Sequence, residues 1–227
     1  MKRSTVAPGL DVDEDEYELL IEALRTRVPD AADVISACTW EYFENHRHWL
    51  RTCSTGELAG CEESWDVAEF ELPRDGRNDR ILGVSKHIGP ATPRQGVTPH
   101  GHACREYVRH VLRGGIVEDC FWLDTVDHPL LTLPNHQHAA GPMTVSRRER
   151  FAGSSDTFGP TAFHSVFGLA APAPTLVLME FRSPSADDRG YLELAPDGTL
   201  AYVPRRLSST WRGVESVLRH LNPHYLS

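Results

Sequence analysis

The sequence predicts a mainly β fold, a sandwich or small barrel of antiparallel strands, with helices ahead of it and one helix behind. Two observations predict it. Apolar residues recur at helical spacing as far as Leu50, then alternate in short runs from Trp65 to Val203. Those runs are separated by turn-forming stretches such as Pro73-Arg-Asp-Gly76 and Pro196-Asp-Gly198.

Taken in order, residues 1–12 lack any periodicity and read as a flexible arm. Asp13-Glu-Asp-Glu16 opens a helix, because acidic groups in a first turn oppose the helix dipole, and Arg25 and Arg27 suit its end. Leu20, Leu24 and Val28 form its apolar stripe, and Pro29 interrupts it. A second helix is expected from about Ala31 to Leu50, with Val34, Ile35, Cys38, Tyr42 and Trp49 near its inner face, and a loop or short helical turn over 51–63. Strands are expected at Val67–Leu72, Ile81–Ile88, Glu106–Leu112, Ile116–Leu123, Met143–Ser146, Ala162–Val166 and Thr175–Phe181. A hairpin follows at Tyr191–Val203. Ser208 or Ser209 caps a last helix carrying Trp211, Val214, Leu218 and Leu221. The expectation is one domain over 1–227, made of a helical layer (1–62), a β-barrel (65–207) and a closing helix (208–222).

Composition narrows the function. A net charge of −9 argues against general nucleic-acid binding, and Arg147/Arg148/Arg150 and Arg205/Arg206 are too few and too interrupted to reverse it. The N-terminus lacks a hydrophobic signal core and no apolar run approaches membrane-span length, so a cytoplasmic protein without membrane association is expected. Five scattered cysteines, never spaced Cys-x-x-Cys, read as reduced thiols.

Among 12 histidines, one stretch carries chemistry: Gly96-Val-Thr-Pro-His100-Gly-His102-Ala-Cys-Arg-Glu106. On a single strand, positions 100, 102 and 106 share parity, and two imidazoles with a carboxylate are a donor set for a divalent transition metal. His164, within Phe158-Gly-Pro-Thr-Ala-Phe-His164-Ser-Val-Phe-Gly168, is the further candidate ligand. Two other His-x-His pairs are weaker. His46/His48 falls at the end of the second predicted helix, where residues two apart diverge, and His136/His138 lies in a loop without a matching carboxylate.

Residues 96–114, reading Gly-x3-His-x-His-x3-Glu-x7-Gly, closely approximate the first signature of the cupin superfamily, departing from it in the spacing to each glycine, and Phe158–Gly168 resembles the second, without its final Asn. Over about residues 35–207 the chain looks most like the cysteine dioxygenase (thiol dioxygenase) family. The shared features are Val111-Leu-Arg-Gly114, Glu118-Asp-Cys-Phe-Trp122, His164-Ser-Val, Phe181-Arg-Ser-Pro184 and the late hairpin. The resemblance implies a small β-barrel holding Fe(II), with Mn or Ni as alternatives, through His100, His102 and His164. It implies a small amino-acid-like or thiol substrate oxidised by O2; no second redox cofactor is visible in the sequence, and a monomer or homodimer is expected. Where animal members cross-link a cysteine to a late tyrosine, this chain has Tyr107 at the first position and Phe181 or Arg182 at the second.

Glu106 admits two roles: a fourth metal ligand, or an unbound group acting as general base or hydrogen-bonding a ligand histidine. Arg182 is a candidate clamp for a substrate carboxylate, with Arg74 and Lys86 as substitutes, and an ordinary ion pair with Glu180 is the other reading. Glu106, Tyr107 and Arg182 are therefore the candidate catalytic groups beside the metal. Two alternatives remain open: a three-His, one-Glu cupin doing other oxygenase, lyase or isomerase chemistry, and a cupin that binds its ligand without turning it over.

Overall fold

The computed structural model describes residues 12–39, 47–52, 64–72, 80–88, 100–102, 104–123, 138–139, 143–159, 162–169, 175–184, 190–194, 199–204 and 220–222. Two helices come first, α1 (Glu14–Arg27) and α2 (Pro29–Ala37). Asp13 caps α1 in a reciprocal box: the Glu16 N–H donates to Asp13 Oδ1 at 2.9 Å, and the Asp13 N–H donates to Glu16 Oε2 at 3.0 Å. Pro29 opens α2, where its missing N–H leaves no bond unmade.

Thirteen strands follow among the described residues: β1 (Arg47–Thr52), β2 (Ser64–Glu71), β3 (Arg80–Ile88), β4 (His100–His102), β5 (Cys104–Arg113), β6 (Gly115–Leu123), β7 (His138–Ala139), β8 (Met143–Phe151), β9 (Ser155–Phe158), β10 (Ala162–Leu169), β11 (Thr175–Pro184), β12 (Gly190–Leu194) and β13 (Thr199–Pro204). The seven predicted strands and the hairpin are present. The second helix is shorter than expected: it ends at Ala37, and Arg47–Thr52 is a strand paired with β2. His48 therefore lies on a strand, and His46 lies outside the described residues. Of the predicted last helix only His220 and Leu221 are described as helical. Leu221 packs in the same cluster as α1 and α2, and the Asn222 side-chain amide donates to the Cys38 carbonyl.

Among the described residues all the strand pairings are antiparallel, and they form two sheets, β1-β2-β3-β11-β5-β9 and β7-β13-β12-β4-β10-β6-β8. The runs β3-β11-β5-β9 and β4-β10-β6-β8 interleave early and late strands in the manner of a jelly roll, the double Greek-key class that includes cupins. The mainly β fold expected from the sequence is therefore present. β1 and β2 extend the first sheet, while β12, β13 and β7 extend the second. Among the described residues no helix is long and apolar enough to cross a membrane.

The alternation of the first sheet separates two cores. Leu82, Val84, Leu176 and Leu178 face the helices and pack with Leu20, Leu24, Ala31 and Ile35. Ile81, Tyr107, Val111, Val177, Met179 and Phe181 face the second sheet and meet Ile116, Cys120 and Ala162. Gly114 makes the step from β5 in the first sheet to β6 in the second: its φ is +72°, and a Cβ there would lie 2.6 Å from Thr175 Oγ1.

Candidate metal centre

The site is built around β10, which lies between β4 and β6. In the antiparallel register His164 stands opposite His100 on one side and opposite Cys120 on the other. Directly opposed antiparallel residues share a face with Cβ atoms about 4.5–5.5 Å apart, and residues two apart on one strand share it too. The register thus groups positions 100, 102 and 164 on the face that β10 turns to the first sheet, where His164 is buried against Tyr107 and Phe158. His100 and His102 are described by strand and register alone. Among the described residues no three His, Cys, Asp or Glu side chains converge as a complete metal-binding group.

Two buried charges stand behind His164. Its Nδ1 lies 3.1 Å from Glu118 Oε2. Arg109 forks onto Glu118 through Nη1 and Nη2, each at 2.7 Å, and Nη2 also donates to Asp156 at 2.8 Å. Arg150 Nε closes the chain on Asp156 at 2.7 Å. Burial alone would raise the Glu118 carboxyl, but the bonds from Arg109 and His164 outweigh it and hold the group well below the usual carboxylate range. Burial works likewise against the Arg109 charge, and its two carboxylate partners overcome it. For His164, burial wins over the pull of Glu118 and favours the neutral imidazole, the form that ligates metals. Cys120 is fully buried, and burial together with the Glu118 charge pushes its thiol up to about 12, so it stays protonated at neutral pH.

The wall beside His164 is aromatic. Tyr107, Phe158, Gly159, Ala162 and His164 line one small depression. Tyr107 is stacked between Phe158 (ring centroids 5.6 Å apart) and Phe181 (5.1 Å), and its edge meets His164 at 5.9 Å. Phe181 is also the direct cross-strand partner of Tyr107, so the late position opposite Tyr107 is Phe181 rather than Arg182. The Arg109 guanidinium sits 4.9 Å from the Phe158 ring centroid, so one cation braces both the aromatic wall and, through Glu118, His164.

The structure does not bring Glu106 or Arg182 to His164. Parity holds only within one strand, and between His102 and Cys104 the chain passes from the second sheet to the first. On β5, Tyr107 and Val111 belong to the core between the sheets, which turns Glu106 to the face covered by the helices. There Glu106 is the direct partner of Arg182 and bonds its Nη1 at 2.5 Å, while Arg182 Nη2 holds Glu180 at 2.8 Å. Lys86 is on the same outer face and binds Glu16 at 2.6 Å. Arg74 and His136 lie outside the described residues. Sequence reasoning missed Arg109, Glu118 and Asp156 as site residues. The readable signal was Glu118 between Ile116 and Cys120, the one charge on the inward-facing positions of its strand.

No protein-family model matches the chain, and no curated protein does. Among solved structures it is similar to hydroxypropylphosphonic acid epoxidase from S. wedmorenis, with 11% identity over 61% of this chain and 56% of that one and a TM-score of 0.35. It is also similar to a cupin superfamily protein of Desulfitobacterium hafniense (12% identity, 51% and 75% covered, TM-score 0.28). A third likeness is to a single-site mutant of Bacillus subtilis oxalate decarboxylase (14% identity, 57% and 28% covered, TM-score 0.37). The matched part spans about half the length of the epoxidase, and these are partial likenesses of strand arrangement.

Proposed function

We propose that the chain is a metal-dependent oxygenase in which His100, His102 and His164 hold a single Fe(II), and that its substrate is a small chelating molecule of the thiol or amino-acid type. The observation that carries this reading is the opposition of His100 and His164 across β4 and β10, on a face where His164 is buried and backed by Glu118. Three neutral imidazoles are a fitting donor set for a first-row divalent metal. When bound, Fe(II) would supply redox chemistry with O2 at coordination positions that three imidazoles leave open.

The chain's own residues do the rest. The buried wall of Tyr107, Phe158 and Ala162 excludes water on one side of His164 and favours a substrate whose non-chelating end is apolar. Tyr107 opposite Phe181 leaves no thiol at that pair, so no cysteine–tyrosine thioether can form there. Glu106 and Arg182 neutralise each other on the outer face, which weighs against a carboxylate ligand at 106 and a substrate clamp at 182.

The test is O2 uptake by Fe(II)-loaded protein offered cysteine, 3-mercaptopropionate and apolar thiols. Substrate-dependent O2 consumption that is lost with the metal in His100→Ala and His164→Ala is expected. Turnover unchanged without O2 would instead support lyase or isomerase chemistry, and saturable binding without product would support a binding module. Either result overturns the oxygenase reading.

A further inference from the structure

We propose that Glu118 is the positioning residue of this centre: it holds His164 as the Nδ1–H tautomer, so that Nε2 carries the lone pair offered to a metal, while Arg109 holds Glu118 in place. The inference rests on the metal reading above for its consequence, but its geometry is independent of it.

A carboxylate accepts hydrogen bonds and does not donate them, so the imidazole atom 3.1 Å from Glu118 must be the one that carries the proton. Nothing else on the carboxylate is left to chance. Arg109 takes both oxygens in a fork of two 2.7 Å bonds, which sets the plane of the carboxylate as well as its position. Asp156 then anchors Arg109, and Arg150 anchors Asp156. Side chains of Arg109, Glu118 and Asp156 are 3%, 0% and 8% exposed, so this bracing is shielded from water. The chain joins β8, β9, β5, β6 and β10, tying His164 to both sheets. The site therefore has a carboxylate on the Nδ1 side of the histidine, away from the Nε2 that would face a metal. With a metal bound, that arrangement would strengthen the imidazole as a donor.

Two measurements test this. Long-range ¹H–¹⁵N correlation spectra of the metal-free protein, with His164 assigned by its absence in His164→Gln, read the tautomer directly. The Nδ1–H pattern is expected, and an Nε2–H pattern overturns the proposal. Competition titration with Co(II) or Mn(II) then reads affinity, with folding checked by thermal melting. Glu118→Gln and Arg109→Lys are expected to weaken binding about 10–100-fold, the second because lysine keeps the charge but not the fork. If either variant does not fold, Glu118→Asp, which retains the charge at a shorter reach, serves in its place. Wild-type affinity in a folded Glu118 variant overturns the positioning role while metal loss in His164→Ala leaves the metal reading standing. Full metal retention in His164→Ala overturns the metal reading itself, whatever the tautomer.

Discussion

Gly101, between the two candidate ligands of β4, offers a direct test of how the site is held. A Cβ added there would lie 3.0 Å from Phe163 Cε1, 3.1 Å from Cδ1 and 3.2 Å from the Ala162 carbonyl oxygen. Ordinary carbon contacts need about 3.5–4.0 Å, so Gly101→Ala demands a retreat of about half an ångström. Phe163 is fully buried and cannot swing aside, and the Ala162 carbonyl is backbone. The weaker partner is β4 itself, three residues long and registered to β10 at two positions. It should move away from β10, taking positions 100 and 102 from 164. Overpacking of this kind costs about 1–3 kcal/mol. Metal sites tolerate ligand displacements of only about 0.2 Å. If about 1.4 kcal/mol of the cost falls on the metal-bound state, Kd rises about tenfold. Melting of the metal-free protein and competition titration with Co(II) measure the two effects. A variant that melts lower yet binds metal as tightly as wild type would refute the claim that the β4–β10 register sets the site.

The outer-face pair should matter little: Glu106→Ala is expected to cost at most about 1 kcal/mol in urea unfolding, because the pair is exposed, with metal affinity unchanged. A tenfold loss of affinity would restore Glu106 as a ligand. Phe181→Ala removes the buried ring stacked on Tyr107 and should cost about 3–5 kcal/mol in the same assay, and a loss below about 1 kcal/mol would contradict the packing. Acid should destabilise the metal-free protein in two stages. Burial holds His110 and His164 below the usual 6.5, so below that pH the unfolded chain takes up protons that the folded one refuses. Stability then falls by up to about 1.4 kcal/mol per pH unit for each histidine. The lowered carboxyl of Glu118 stabilises the fold above its ordinary value of 4.5 and loses that contribution as pH falls further. Urea midpoints that stay level from neutral pH to about 5.5 would refute the first stage.

The strands were legible as short apolar runs between turn residues: β11 is buried on both faces, Leu176 and Leu178 against the helices and Val177, Met179 and Phe181 against the second sheet, and its sequence is a near-continuous apolar run. β1 was not, because Arg47–Thr52 owes its conformation to pairing with β2, and no local period distinguishes it from a continued helix. His100 and His102 stood out in the sequence as imidazoles one residue apart. Counting parity from His102 to Glu106 failed because the chain changes sheets between them, a step no periodicity records. The Arg109–Glu118–Asp156 chain was invisible for another reason. Its members lie on three strands, and only the folded register makes opposite charges neighbours.

The interleaved strand order also has a kinetic side. β10 seats between β4 and β6, and β11 seats between β3 and β5. Until both arrive, the earlier strands present bare hydrogen-bonding edges, the kind that template aggregation. Pairings this distant along the chain are slow to close, on the order of milliseconds to seconds for all-β domains of non-local topology. His164 travels on β10, so if His100, His102 and His164 hold the metal as proposed, a nascent chain without β10 has only two of the three imidazoles to offer. Metal uptake would then mark the end of assembly and could not nucleate it.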